Sequence, residues 1–127
     1  MSALVLDAGA FMAADRGDRA MVARLRVAER SGIDLRSNGV VVAQVWRDPT
    51  GRQVELARLL RAVDIRAVDE DMGRRAGTLL GRTKTNDAVD ATVVATANAG
   101  DRIVSSDQGD SRVLVAASGL PILIVPC

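Results

Sequence analysis

Three aspartates carry the chemistry this chain can offer. Asp7 follows the apolar run Ala3-Leu4-Val5-Leu6, and Asp107 follows Ile103-Val104 across two serines, with small or polar residues just after each. In an α/β chain that is the carboxyl end of a buried parallel strand, where open sheets of this class take up their ligands. The third, Asp90, stands in the helical stretch 85–100. At about 100° per residue it falls between Val93, Ala97 and Val94, on the face a helix turns to its core. An ionised carboxylate there is costly unless it is paired, hydrogen-bonded or bound to a cation. If the three converge on one crevice, they offer the hard oxygen ligands that a divalent cation takes. Asp87, one turn before Asp90, has a simpler reading: it favours the positive N-terminal end of the helix, which Asn86 or Thr85 can cap.

What the chain lacks narrows the chemistry further. It has no histidine, which excludes Ser-His-Asp, Cys-His and His-zinc mechanisms. Its single cysteine, Cys127, allows neither an intramolecular disulfide nor a cysteine-based zinc site. Acids and a metal remain. Phe11 and Trp46 are the only aromatic residues, too few for a platform on which single-stranded bases stack. The net charge of +1 is a near cancellation of 17 basic and 16 acidic residues, so their distribution matters more than their sum. A length of 127 residues fits one domain, 1–127, and no apolar run approaches the roughly 18 residues of a membrane span. The opening Met1-Ser2-Ala3-Leu4-Val5-Leu6-Asp7 lacks a basic region and meets an acid too soon for a signal peptide, so a cytoplasmic protein is expected.

The elements that must position these acids alternate strand and helix. A buried strand ends at Asp7, and Ala8-Gly9-Ala10 reads as a tight exit with little bulk. A helix is expected from about Gly17 to Arg30, stopped by Ser31-Gly32, with its arginines on a solvated face. Ile33-Asp34-Leu35-Arg36 reads as a short strand nearer a sheet edge, followed by a helix from Val40 to Arg47 capped by Ser37 or Asn38 and stopped before Pro49. A further helix, from about Thr50 to Val63, leads to a modest strand at 64–68. Another, Asp69 to Leu80, is expected to close on Gly81. Arg82 and Lys84 come just before the acidic helix, where they either hold a phosphate backbone or balance local charge. A strand from Arg102 to Ser105, a short helix from Ser111 to Ala117 and a last strand from Pro121 to Val125 complete the series. A parallel sheet with helical crossovers is the economical topology. With the strands before Asp7 and Asp107 as central neighbours, both acids face one crevice and Asp90 enters from the flanking helix.

These residues resemble a PIN-domain ribonuclease, more narrowly a VapC-type toxin of a bacterial type II toxin–antitoxin system. The resemblance rests on the strand into Asp7, Ala-Gln-Val-Trp-Arg at 43–47, Asp87-Ala-Val-Asp90-Ala with its alanine-rich helix, and Ser-Ser-Asp107-Gln-Gly-Asp110. It implies a three-layer α/β/α sandwich around a central parallel sheet of about five strands, Mg2+ or Mn2+ held by acids, and endonucleolytic cleavage of RNA. It also implies a cognate antitoxin whose tail enters the acidic groove, a toxin homodimer and a toxin–antitoxin hetero-oligomer. Asp7, Asp90 and Asp107 match the family's catalytic and metal-binding acids, and Asp87 and Asp110 its accessory ones.

Gln44 departs from the family, which usually carries glutamate there. The amide keeps an oxygen but loses the charge, so metal affinity is expected to fall, with Asp48 at i+4 as a partial substitute. On this reading a cation held by Asp7, Asp90 and Asp107 polarises the scissile phosphate and lowers the pKa of a bound water, while Asp110 or Asp87 orients that water. Arg82, Lys84 and Arg112 contact the RNA backbone. The alternative is a catalytically weakened domain that chiefly binds antitoxin or RNA. A receiver-type phosphoacceptor is disfavoured because no acidic pair follows the first strand and no lysine the last. A haloacid-dehalogenase-like phosphatase is disfavoured because Asp7-Ala8-Gly9 lacks a second aspartate.

Overall fold

The computed structural model describes residues 2–47, 51–106 and 108–127; the expectations placed on Asp48, Pro49, Thr50 and Asp107 lie outside the described residues. Five strands, β1 (Ala3–Leu6), β2 (Asp34–Asn38), β3 (Asp64–Arg66), β4 (Arg102–Ser105) and β5 (Leu123–Pro126), pair in the order β3-β2-β1-β4-β5. Every pairing is parallel, with Leu6 opposite Val104 at the carboxyl end of the central pair. The all-parallel sheet follows from its strands: β1 is buried along its whole length and Ile103 and Val104 of β4 are fully buried, as strands covered on both faces must be. β3, at one edge, is exposed throughout and carries Asp64 and Arg66, charges that discourage pairing with another chain.

Helices cover both faces. α1 (Ala8–Asp15) packs on α2 (Arg19–Arg30), α3 (Gly39–Val45) and α4 (Val54–Arg61), while α5 (Glu70–Thr83), α6 (Ala88–Thr96) and α7 (Gln108–Ser118) pack on one another. α2 lies against β2, α1 against β1 and β4, α6 against β1 and β2, and α7 against β5. Phe11, Leu6, Leu56, Ile103 and Leu114 are the largest apolar side chains wholly enclosed among the described residues. No helix among the described residues is long and apolar enough to cross a membrane.

Several boundaries differ from those expected. Ala8-Gly9-Ala10 is not a loop but the first turn of α1, because Asp7 caps it. β2 is longer than its alternation suggests and lies one strand in from the edge, where Arg36, Ser37 and Asn38 are buried polar residues. α5 runs through Gly81 and ends at Lys84, which adopts the left-handed conformation itself (φ 56°). The hydrogen bonds of a further turn outweigh the weak helix preference of one glycine.

Candidate active site

The order β3-β2-β1-β4-β5 puts the reversal of strand order between β1 and β4. Asp7 leaves β1 at that point and extends the ladder by donating its own N–H to the Val104 carbonyl (3.2 Å). Its carboxylate is buried and held at both oxygens. Oδ1 accepts the Ala10 N–H at 3.0 Å, which caps α1, and Oδ2 accepts the Ser106 N–H at 3.1 Å, which ties in the chain leaving β4. Each oxygen keeps a lone pair for a further partner. Gly9 is dictated by this packing. A Cβ there would collide with Ser106 Oγ and Cβ and lie 3.3 Å from Asp7 Oδ1.

Asp90 occupies the first turn of α6 and is half-buried, with Ala91, Val93 and Val94 enclosed beside it, as the helical period predicts. Asp87 is the N-cap, its Oδ1 accepting the Asp90 N–H at 3.0 Å. It fills the capping position expected of Asn86 or Thr85, which gives it a structural explanation independent of catalysis. Asn38 then links α6 to α3. Fully buried at the end of β2, it caps α3 through Oδ1 on the N–H groups of Val40 (2.9 Å) and Val41 (3.1 Å), while its Nδ2 donates to Thr96 Oγ1 at 3.0 Å. One amide thus sets α3, which carries Gln44, against the helix that carries Asp90.

The remaining candidates spread around this frame. Gln44 is exposed on α3, and Asp110 is exposed in the first turn of α7, a position that suits a carboxylate. Arg112 lies on the same helix with Nη2 3.4 Å from Gln108 Oε1. Lys84 is exposed at the α5–α6 junction. Arg82 instead reaches across to the end of α7, donating through Nη1 to the Ala117 carbonyl at 3.3 Å.

Sequence reasoning overlooked Ser106, Arg24 and the setting of Cys127. Arg24 is not simply a solvated charge on α2, since its Nη1 donates to the Pro126 carbonyl, and Pro126 pairs with Ser105 at the end of β4. Cys127 continues that edge, its N–H on the Ser105 carbonyl at 3.2 Å. Burial and then the Asp7 carboxylate push its thiol up from 9.0 to about 11, against opposing effects of Arg24 and Arg16. No local signal in the sequence reports these contacts, because each joins residues about a hundred positions apart or lies across the sheet.

The donor set suits a hard cation. Carboxylate oxygens are present and histidine is absent, a donor set of hard oxygens. Among the described residues no three acidic or thiol side chains gather closely enough to hold a metal ion.

The chain superposes on VapBC2 from Rickettsia felis bound to a DNA fragment from its promoter, with a TM-score of 0.70 and 11% identity, covering 100% of this chain and 99% of that one. FitAB bound to an IR36 DNA fragment gives a TM-score of 0.66 and 15% identity, covering 97% and 94%. At these identities the likeness is one of fold, and the PIN-like α/β/α sandwich around five parallel strands agrees with the architecture expected from the sequence. No protein-family model matches the chain, and no curated protein sequence does.

Proposed function

We propose that this chain is a metal-dependent endoribonuclease and the toxin of a toxin–antitoxin pair. The observation that carries the reading is the Asp7 carboxylate, buried where strand order reverses and held by two backbone N–H groups with lone pairs to spare, in a fold shared with VapBC2 and FitAB. Asp7, Asp90 and Asp107 would hold Mg2+ or Mn2+, which when bound supplies charge stabilisation for phosphodiester hydrolysis. Asp7 is fixed in direction by Ala10 and Ser106, so its oxygens need no reorganisation to receive the ion. Asp110 orients the attacking water, Asp87 holds the first turn of α6, and Lys84 and Arg112 contact the RNA backbone. An antitoxin segment carrying a guanidinium would compete for the same carboxylates, and homodimerisation and promoter-DNA binding by the toxin–antitoxin pair belong to the same proposal.

The test is cleavage of a mixed RNA pool by the purified protein with Mg2+ or Mn2+, beside EDTA and Asp7→Asn controls. Metal-dependent cutting lost in both controls is expected; cutting that survives Asp7→Asn refutes the assignment. The neutral Gln44 favours a second reading, a weakened nuclease that chiefly binds antitoxin or RNA. Gln44→Glu decides between them: a gain of tenfold or more, of the order a lost metal-site group commonly causes, marks the glutamine as the weak point, and no gain means that the other acids suffice.

A further inference from the structure

A groove of about 280 Å3 opens between α5, α6 and the turn after α7, away from the Asp7 crevice in its lining residues. The buried Leu79, Val94 and Ala97 line it beside the hydroxyl side chains Thr78 and Ser118, and Leu120 borders it 43% exposed. Two guanidinium groups border it. Arg75 is pinned by Asp71 (3.0 Å) and by the Ala95 carbonyl (2.7 Å). Arg82 is held by the Ala117 carbonyl alone and has no carboxylate within ion-pair distance among the described residues. No acid lines the groove. The volume falls at the bottom of the range of about 300–1,000 Å3 typical of small-molecule pockets, which suits the anchoring side chain of a longer ligand better than an enclosed metabolite.

We propose that this groove docks an acidic peptide segment of a partner protein, one apolar side chain entering over Leu79 and Val94 and a carboxylate closing on Arg82. Arg82 is already oriented by its carbonyl contact and keeps further N–H donors in the planar fork that matches a carboxylate. Arg75 lies two helical turns away, about 10 Å along α5, a span that an extended peptide covers in about three residues. Nucleic acid fits the groove less well. Neither aromatic side chain lines it, so bases have nothing to stack on.

The test is chemical-shift mapping on the isotopically labelled full chain with a blocked peptide, Gly-Glu-Asp-Leu-Glu-Asp-Gly. Its lysine-for-acid counterpart and an oligouridylate serve as comparisons. Run in the parent and in Asp7→Asn alike, the mapping reads binding and not cleavage, so the outcome is independent of the nuclease reading. Saturable shifts at Leu79, Val94, Ala97 and Leu120 with the acidic peptide only are expected. Arg82→Ala should weaken binding roughly tenfold or more, of the order of one charge-assisted contact, with Arg82→Lys intermediate. Leu120→Glu, which adds an acid to the wall, should abolish it. Absence of saturable shifts, equal binding of the lysine peptide, or indifference to both Arg82→Ala and Leu120→Glu overturns the proposal. So does stronger binding of the oligouridylate at these residues, or concentration-dependent self-association that occludes them.

Discussion

Replacing Asp7 by asparagine should destabilise the protein as well as disable the proposed metal site. Mutual repulsion among clustered acids argues the other way, since neutralising one of them relieves the rest. The hydrogen bonds decide the sign. The substituted side chain can keep the Ala10 cap with its carbonyl oxygen, but its amide nitrogen then faces the Ser106 N–H, leaving two donors in opposition at a buried position. Loss of a hydrogen bond to a charged acceptor, with the donor left unpaired, costs about 1.5–3 kcal/mol. We therefore expect about 2 kcal/mol, or about 6–10 °C in Tm for a chain of this size. Urea titration followed by far-ultraviolet circular dichroism in EDTA should show a lowered midpoint and an unchanged slope. Added Mg2+ at a hundred times its Kd would stabilise the parent by about 2.7 kcal/mol and the variant by less. An Asp7→Asn variant as stable as the parent in EDTA refutes the reasoning, because the Ser106 N–H would then not depend on the Asp7 carboxylate.

Three further outcomes follow from particular contacts. Asp101 is 2% exposed and accepts from the Ala3 N–H (2.8 Å), the Asn98 N–H (2.8 Å) and Arg36 Nη1 (2.9 Å), so Asp101→Ala should cost about 3–5 kcal/mol in urea titration. Joint replacement by Arg36→Met and Asp101→Leu should recover only the part due to the unpaired Arg36 charge, because the Ala3 and Asn98 N–H groups stay without an acceptor. Lys84→Gly should raise stability by roughly 0.5–1 kcal/mol by removing left-handed strain, and weaken RNA binding if Lys84 is a backbone contact; a fall in the urea midpoint refutes the strain argument. Alkylation of Cys127 should titrate near pH 11 instead of 9.0, shifting back toward 9.0 in Asp7→Asn. Because the folded thiol holds its proton to higher pH than the unfolded one, this group favours folding below pH 9.0 and that contribution is lost as pH rises through about 11. A midpoint of 9.0 in the parent would place the thiol in open solvent, away from Asp7.

The sequence by itself determined the fold class and which residue types can act. Short apolar runs ending in acids, separated by amphipathic helices, admit few arrangements besides a parallel sheet, because strands without polar alternation must be covered on both faces. The absence of histidine left carboxylates as the chemistry, and the inward face of Asp90 followed from helical period alone. The tertiary structure decided which groups Asp7 and Asp87 bond to. Period and composition describe a residue's own element, whereas Asp7 takes its role from Ser106, 99 positions away, and Arg82 from Ala117, 35 positions away. The cap at Asp87 and the left-handed Lys84 were local features, but each depended on where α5 and α6 stop. That is set by packing between the helices and not by any one residue's preference, since a single glycine or cap shifts the balance by only about 1 kcal/mol. Asn38 shows the same division: its capping of α3 was legible in sequence, and its bond to Thr96 was not, because only the folded sheet brings the end of β2 against α6.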